Sequence, residues 1–423
     1  MTVRKSSGQI RRDRHRRTVV SLYTGAGGLD IGLEEAGFGV ALCVEKDETA
    51  QQTIRLNRPH WPLAEPGDIH LLAPEAALEQ MRLKQGEVSL LSGGPPCQPF
   101  SKSSYWARGD SARLADPRAA TLSEYLRWVE VLLPEVILLE NVSGLVFRAK
   151  DEGLRLLSVG IRDINRRKKV AYQPHVIHLN AASFGVPQVR ERVILVAHRE
   201  GRAFELPRST HYPAVQAAEL PGAEPYRTAW DAIGDLDSDS WSDELRLTGK
   251  WADLVPSIPE GMNYLWHTSR GGGLPLFGWR TRFWSFLLKL AKDRPSWTIQ
   301  AEPGPATGPF HWRNRKLSVR ELCRLQTFPD DYTIFGGYRE AHRQIGNAVP
   351  PAIGELVGLE IRRQLLGERV RRQLRLVPHR RSQCPPPEAV SAVPRAYHSL
   401  IGSSQDHPGP GQGPRARAER DAA

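Results

Sequence analysis

Short apolar runs recur through the first half of the chain at the spacing of strands separated by helices. These runs occupy residues 18–22, 40–44, 88–91, 136–139, 175–179 and 193–197. One intervening helix is visible directly, because apolar residues recur three or four positions apart over 122–133 before Pro134 ends the pattern. Strands that alternate with helices predict an α/β fold, with a mostly parallel sheet covered by helices on both faces.

The pattern changes after residue 198. Residues 199–312 are rich in Pro, Gly, Ser and Trp, lose the alternation of strand and helix, and hold eight of the eleven tryptophans. Helical spacing returns near 317–325 and after Pro351. We therefore predict five segments: a flexible basic arm over 1–17, a first domain over 18–198, a second and smaller domain over 199–312, a return to the first domain over 313–366, and a disordered basic tail over 367–423.

Composition places the chain among soluble globular proteins. Of its 423 residues, 40% are hydrophobic and 25% are charged. No run approaches the ~20 apolar residues of a membrane span, and the polar N-terminus lacks the apolar core of a secretory signal. The four cysteines lie far apart and form no CxxC pair, which argues against a disulfide framework or a bound metal. A cytoplasmic protein without membrane contact is expected.

The net charge of +11 is concentrated at the two ends of the chain. Residues 1–17 carry about +6 and residues 362–423 about +7, so the central body is close to −2. Overall basicity is therefore no sign that the folded body binds nucleic acid. The two ends are either solvated tails or arms that add salt-sensitive attraction to phosphates.

Cys97 stands out for its local setting. It lies in Gly-Gly-Pro-Pro-Cys-Gln-Pro-Phe, directly after the apolar run 88–91. Prolines on either side hold a cysteine at a strand end in a stiff, shaped loop, which suits a nucleophile. An isolated cysteine is more often a small buried hydrophobic residue, so the rest of the chain must support this interpretation.

The first strand runs into a glycine-rich turn, Tyr23-Thr24-Gly25-Ala26-Gly27-Gly28, with a helix predicted from Leu29. Glycines here let the backbone approach a ligand beside a helix N-terminus. Glu45 ends the second strand, where an acid can accept hydrogen bonds from ribose hydroxyls. Asp68 is expected near the end of a third strand. Together these features favour an adenosine-containing cofactor over a purely structural turn.

Two further segments carry polar side chains beside predicted strands. Glu140 ends the run 136–139, where open α/β sheets place their sites, and a protonated carboxyl there could donate to a ring nitrogen. Its alternative role is that of an acid at a helix N-terminus. In the extended segment 188–192, Gln188, Arg190 and Arg192 share a face and could hold a carbonyl or carboxylate. The alternative is an exposed, charged edge strand.

In their order along the chain, these segments resemble the DNA (cytosine-5) methyltransferases of bacterial type. The matching motifs are YTGAGG at 23–28, GPPCQ at 94–98, ENV at 140–142, QVRER at 188–192, RELCRLQ at 320–326 and QIGNAVP at 344–350. The resemblance covers about residues 18–198 and 313–366. Tyr23 stands where the family more often has Phe, and Ala348 where it more often has Ser. Neither departure removes a reacting group.

The resemblance implies a Rossmann-like methyltransferase sheet with a target-recognition domain over 199–312. It implies that S-adenosylmethionine provides a methyl group for carbon 5 of a cytosine flipped out of duplex DNA. Cys97 would add to carbon 6 of the ring and Glu140 would act near ring nitrogen 3. Arg192 would hold the carbonyl oxygen of the ring, with Arg190 nearby.

The motifs also imply the cofactor contacts, with the last two residues near the methionine end: Tyr23, Gly25, Gly27, Gly28, Glu45, Asp68, Ile69, Asn347 and Val349. Arginine side chains can read guanine edges, and the second domain offers four basic candidates among its glycines and aromatics: His267, Arg270, Arg280 and Arg282. We expect a monomer that acts on double-stranded DNA in a bacterial cytoplasm. A cognate restriction endonuclease cannot be inferred from the chain.

Two other functions share parts of this pattern. A tRNA cytosine-5 methyltransferase would have the same catalytic motifs, but the long 199–312 segment and Cys323-Arg324-Leu325, where those enzymes usually carry Cys-Phe-Thr, argue against it. A non-catalytic DNA-binding relative should have lost Cys97 or Glu140, and both are present.

Overall fold

The computed structural model describes residues 17–95, 120–141, 152–280, 283–370 and 373–406. Its main strands are β1 (Arg17–Leu22), β2 (Phe38–Val44), β3 (Leu90–Gly93), β4 (Val136–Asn141), β5 (His175–Asn180) and β6 (Glu191–His198), and two short strands follow, β7 (His211–Tyr212) and β8 (Glu224–Pro225). Its helices are α1 (Gly28–Glu35), α2 (Glu48–Asn57), α3 (Pro74–Met81), α4 (Ala120–Leu132), α5 (Glu152–Lys168), α6 (Ala214–Glu219), α7 (Ala229–Ile233), α8 (Val319–Leu325), α9 (Tyr338–Asn347) and α10 (Pro351–Gln364). A helix suited to spanning a membrane, which needs about 20 apolar residues, is not found among the described segments.

Each of the six apolar runs forms a strand of one sheet, and the predicted α/β fold is confirmed. The strand order is β2-β1-β3-β4-β6-β5. Strands β1 to β4 pair in parallel, whereas β6 runs antiparallel to both β4 and β5. The chain leaves β1 toward β2 and then returns to the other side of β1 to form β3. This reversal places a topological switch point between β1 and β3, where open α/β sheets bind their ligands.

Alternation along the strands divides the apolar core between the two faces of the sheet. In β1, Val20 faces a cluster that includes Trp128 of α4 and Ile161 of α5. Val19, its neighbour, faces the opposite cluster with Leu33 of α1 and Val357 of α10. Successive strand residues point to opposite faces, so a run of apolar residues without alternation needs helices on both sides. The structure supplies them.

Helix α10 packs against α1 at backbone contact. A Cβ atom added at Gly32 would lie 2.1 Å from the carbonyl oxygen of Pro351, and one added at Gly354 would lie 2.4 Å from that of Leu29. Only glycine permits this approach. Helix α10, from the C-terminal part of the chain, therefore packs directly on α1 of the first domain.

Residues 199–312 form few regular elements within the described ranges. Three-residue to six-residue 3-10 turns, such as Ala252–Ser257 and Tyr264–His267, surround an apolar cluster that contains Leu254, Tyr264 and Leu287. The tryptophans divide between core and surface: Trp312 is fully buried, whereas Trp284 is 52% exposed.

The structure corrects the prediction for both ends of the chain. Arg17, which we placed in the flexible arm, begins β1. Residues 373–406, which we expected to be disordered, pack against the rest of the protein, and Tyr397 is buried in the same cluster as Leu254. The composition of this segment is polar, but several of its charged side chains pair with other parts of the protein, among them Arg375, Arg381 and Glu388. Residues 1–16 and 407–423 lie outside the described residues.

Candidate active site

The carboxyl edge of the sheet brings together several of the predicted site residues that lie within the described ranges. The glycine-rich turn follows β1, Glu45 follows β2, and Glu140 lies in the last two residues of β4. Because β6 runs antiparallel, its first residues reach the same edge: Asn141 of β4 pairs with Val193, and Glu140 with Ile194. The reversed direction of β6 is the reason that Arg192 meets Glu140.

Glu140 and Arg192 form a buried ion pair. The Nε atom of Arg192 lies 2.6 Å from Oε1 of Glu140, and the two side chains are 7% and 11% exposed, respectively. Burial raises the pKa of the Glu140 carboxyl, while the charges of Arg192 and Arg190 oppose that rise. Desolvation dominates, so the carboxyl holds a proton more readily than an exposed glutamate does. A raised pKa favours the role of proton donor to a ring nitrogen.

The strand that leads to Cys97 passes directly beside this pair. A Cβ atom at Gly94, just after β3, would lie 3.4 Å from Oε2 of Glu140. The side-chain amide of Asn141 donates to the carbonyl oxygen of Pro95 at 3.5 Å. Cys97 itself lies outside the described residues. The sequence analysis includes Asn141 only as part of the motif ENV at 140–142. It does not predict the contact between the Asn141 side chain and Pro95.

Arg190 does not share the environment that we predicted for it. Its side chain is buried and its NH groups donate to backbone carbonyl oxygens of Ile299 at 3.0 Å, Gly346 at 2.6 Å and Ala348 at 3.0 Å. Both terminal NH groups of the guanidinium are therefore used in hydrogen bonds within the protein. Arg190 therefore fastens the 344–350 motif to the first domain, and its charge reaches Glu140 only through space.

Gln188 completes the same buried network. Its amide nitrogen donates to the carbonyl oxygen of Leu325 at 3.3 Å, and its amide oxygen accepts from the backbone nitrogen of Ile299 at 3.1 Å. Alternate positions of 188–192 do share a side, as predicted, but that side faces the protein interior. The partners of Gln188 and Arg190 include Leu325 and Gly346, which belong to the motifs at 320–326 and 344–350. These two motifs were the only sign of the network in the sequence.

The glycine-rich turn has the backbone shape that its sequence predicts. Tyr23, Gly25 and Gly27 have φ angles of 56°, 57° and 77°. Among the residues that the structure describes, no heavy atom lies within 4 Å of the position that a Cβ of Gly25 would occupy. The turn thus borders open space at the switch point, as a cofactor cradle must.

Glu45 closes one side of this cradle. Its carboxylate accepts from the backbone nitrogens of Gly25 at 2.6 Å and Asp47 at 2.7 Å. Burial raises the pKa of this carboxyl, and the two backbone hydrogen bonds oppose the rise. Tyr23 is anchored by its hydroxyl, which donates to the carbonyl oxygen of Thr121 in α4 at 2.7 Å. A phenylalanine there would lack this anchor.

Asp68 lies in a turn and not at a strand end, which corrects our expectation. The chain passes from β2 through α2 and α3 to β3, and within the described residues no strand forms around position 68. Asp68 pairs with Lys46 at 2.7 Å, and that contact lowers the pKa of its carboxyl. The segment still reaches the cradle, because a Cβ at Gly67 would lie 2.1 Å from the carbonyl oxygen of Glu45. Ile69 is buried beside it.

The last two predicted cofactor residues differ in their surroundings. Asn347 is the exposed final residue of α9, whereas Val349 is buried and its carbonyl oxygen lies against Gly28. A Cβ at Gly28 would lie only 2.3 Å from that oxygen, so this glycine serves helix packing. An open cradle, an adjacent carboxylate and a buried isoleucine together fit an adenosine-containing cofactor.

The comparisons with known proteins agree with this geometry. Residues 17–363 match the sequence model of a family described as C-5 cytosine-specific DNA methylase. The chain belongs to this family. It is a DNA cytosine-5 methyltransferase that uses S-adenosylmethionine, and the family is characterised by a covalent enzyme–cytosine adduct.

Relatives of this methyltransferase extend over most of the chain. It is 39% identical over 375 residues to the type II methyltransferase M.SacI of Streptomyces achromogenes. The matched region covers 83% of this chain and 94% of that protein. It is 33% identical over 359 residues to M.PspPI of Psychrobacter sp., across 82% of this chain and 79% of the relative. A crystal structure of S. pombe Dnmt2 methyltransferase superposes with a TM-score of 0.54 at 17% identity, over 83% of this chain and 99% of that one, and supports the fold.

Of the four basic residues that we named as base-edge readers, His267 is excluded by its surroundings. It is buried, its Nδ1 and Nε2 atoms lie 3.0 Å from the carbonyl oxygen of Leu274 and 2.9 Å from the hydroxyl of Ser257, and burial lowers its pKa. It supports the loop that follows it. Arg270 and Arg280 are exposed, and Arg282 lies outside the described residues.

Proposed function

We propose that this methyltransferase is the modification enzyme of a type II restriction–modification pair. It methylates one cytosine within a specific duplex sequence, and acts as a monomer in a bacterial cytoplasm. Two relatives that cover about four fifths of the chain are named type II methyltransferases, which supports this role. All six motifs lie in one chain, so no second subunit is needed to complete the site.

The observation that carries the assignment of roles is the Glu140–Arg192 ion pair beside Gly94. Cys97 follows three residues later. Its thiolate adds to carbon 6 of the flipped cytosine, and the electron pair of the C5–C6 double bond moves into the ring. Glu140 gives its proton to nitrogen 3, which accepts this charge. Arg192 holds the carbonyl oxygen of the ring and keeps the Glu140 carboxyl in place.

The second half of the reaction restores the ring. S-adenosylmethionine supplies the methyl group when bound, in the cradle formed by residues 23–28 and Glu45. Carbon 5 forms the bond to the methyl carbon as the bond between that carbon and the sulfonium sulfur breaks, and the donor leaves as a neutral thioether. Carbon 5 then loses its proton to a base. The electron pair of that C–H bond re-forms the double bond, the S–C6 bond breaks, and Cys97 leaves as a thiolate. Glu140 recovers its proton from nitrogen 3.

Residues 199–312 form the target-recognition domain in this proposal. They lie between the two halves of the catalytic motifs and carry exposed Arg270 and Arg280. Exposed arginines suit contacts with guanine edges and with phosphates. The buried tryptophan Trp312 contributes to the core, so base recognition falls to the charged surface loops.

Bisulfite sequencing of plasmid DNA from cells that express the protein tests the reaction and reveals the target sequence. Wild type should protect one cytosine in a single sequence context, and Cys97→Ser should protect none. Duplex DNA with 5-fluorocytosine at that position should form a heat-stable adduct with wild type and cofactor only. A tRNA transcript serves as the alternative substrate. Methylation of tRNA without methylation of DNA, or an adduct with Cys97→Ser, would contradict the proposal.

A further inference from the structure

The C-terminal strap, residues 373–406, runs along the molecule in an ordered series of contacts. It begins at the catalytic domain, where the backbone nitrogens of Arg375 and Leu376 donate to the Glu355 carboxylate of α10 at 2.8 Å and 3.0 Å. It then meets α7, where the backbone nitrogen of Arg381 donates to Asp231 at 2.8 Å. Its first part thus joins two separate elements through buried or half-buried carboxylates.

The middle of the strap is held by charge and by an aromatic stack. The buried ammonium of Lys292 lies 2.6 Å from Glu260 and 2.9 Å from Glu388 of the strap. Tyr397 stacks on Trp251 with ring centroids 5.9 Å apart and planes 16° apart. Aromatic pairs of this kind stabilise by about 1 kcal/mol beyond the area they bury. The strap is therefore fixed before it reaches its end.

The end of the strap closes one loop. We call residues 268–280 the recognition loop; it starts after the buried His267 and pairs Thr268 with Phe277 at its base. The Asp406 carboxylate accepts from the hydroxyl of Ser269 at 2.7 Å and from the backbone nitrogen of Trp279 at 2.7 Å. One carboxylate thus ties together the two limbs of the loop.

The same carboxylate lies beside an exposed cation of the loop. The guanidinium of Arg270 lies 3.8 Å from the ring centroid of Trp279, and its Nε atom lies 3.9 Å from the Asp406 carboxylate. Strap and loop also touch through their backbones, because a Cβ at Gly278 would lie 2.1 Å from the carbonyl oxygen of Gln405. Arg270 is therefore oriented by a ring and by a carboxylate that comes from a distant part of the chain.

We propose that the strap determines target specificity by fixing the recognition loop, with Asp406 as its positioning residue. The inference rests on the proposed function of residues 199–312. Surface loops are the mobile parts of a fold, and an arginine reads a base edge only when its geometry is fixed. Asp406 removes the freedom of the loop before DNA arrives, so binding does not have to order it.

The test compares Asp406→Ala with Asp163→Ala in the full-length protein. Both remove one solvent-accessible carboxylate, and Asp163 contacts Arg166 of the same helix, α5, outside residues 199–312. By charge alone, loss of a carboxylate near DNA should strengthen binding. If Asp406 instead positions the recognition loop, its loss should weaken DNA binding. Asp406→Ala should lower kcat/KM on the cognate duplex by roughly tenfold, mainly through KM, compared with the ~10²-fold loss that a misplaced reacting group can cause.

Discrimination is the second readout. The ratio of kcat/KM between the cognate duplex and duplexes with one altered base pair should fall for Asp406→Ala and stay unchanged for Asp163→Ala. It should recover in part for Asp406→Asn, whose amide oxygen can still accept from the backbone nitrogen of Trp279. Equal thermal unfolding of the variants confirms that each is folded. Unchanged discrimination or tighter DNA binding by Asp406→Ala overturns the inference. Absence of DNA methylation by wild type would instead refute the proposed function.

Discussion

Removing the arginine of the buried ion pair should have an effect that depends strongly on pH. In Arg192→Ala, the Glu140 carboxyl keeps its buried site but loses the charge that now lowers its pKa. A buried carboxylate without a partner takes up a proton instead of staying charged. The pKa of Glu140 in the folded protein should therefore rise further above the 4.5 of the unfolded chain.

The size of the effect follows from that protonation. Each pH unit above 4.5 costs about 1.4 kcal/mol to keep the proton on Glu140 in the folded state. This limits the loss of stability to about 3.5 kcal/mol at pH 7 and to under about 1 kcal/mol at pH 5. The sign is clear: above pH 4.5 the folded variant binds a proton that the unfolded chain has released, so its stability falls as pH rises. Breaking such a pair without protonation would cost about 3–5 kcal/mol.

Urea unfolding of wild type and Arg192→Ala between pH 5 and pH 7.5 measures this slope. The double variant Arg192→Ala/Glu140→Gln is the control, because it has no carboxyl to protonate at this site, so the site should add no pH dependence to its own stability. The alkaline fall of kcat/KM should also move to higher pH in Arg192→Ala, at a kcat lowered by about 10²–10³ through loss of the contact with the ring carbonyl. A destabilisation that is constant over this range, or an equal slope in the double variant, would refute the reasoning.

Two further predictions concern the cradle and the helix that supports it. Glu45→Gln should weaken cofactor binding by roughly tenfold or more, because a charged acceptor at the cradle is lost. Isothermal titration measures this loss, and the affinity for DNA should stay unchanged. If the variant binds the cofactor as tightly as wild type does, the cradle is not at Gly25. Gly32→Ala should destabilise the protein by about 1–3 kcal/mol, because its Cβ would overlap the Pro351 carbonyl and force α1 from α10. Gly304→Ala, whose Cβ would meet only the Thr307 hydroxyl at 3.4 Å, is the matched control in thermal unfolding, and equal loss in both would contradict the packing argument.

The regular part of the fold was predictable because its signal is local. Six apolar runs and one helical period each specify an element without reference to the rest of the chain. The direction of β6, in contrast, has no local signal in the sequence. Both orientations of residues 191–198 bury the same side chains, so only pairing with β4 and β5 decides between them. The Glu140–Arg192 contact depends on that direction and could be named only through the resemblance.

Non-local contacts account for the predictions that the structure corrected. Arg190 has the residue type and spacing of a substrate-binding group, but the carbonyl oxygens that it holds belong to residues more than a hundred positions away. The strap reads as disordered because its composition is polar, and its order comes from partners such as Trp251 and Lys292. Asp68 was expected at the end of a strand, but the chain passes from β2 through α2 and α3 to β3, and the described residues around it form no strand.

The backbone contact between α1 and α10 has a consequence for biosynthesis. The face of the sheet that carries Val19 lacks the part of its cover that α10 supplies until residues 351–364 leave the ribosome, more than three hundred residues after α1. At elongation rates of about 5–20 residues per second, the nascent chain exposes that apolar surface for roughly 15–60 s. Truncated products that end before α10 should therefore be captured by chaperones or proteases, and would not accumulate as partly active enzyme.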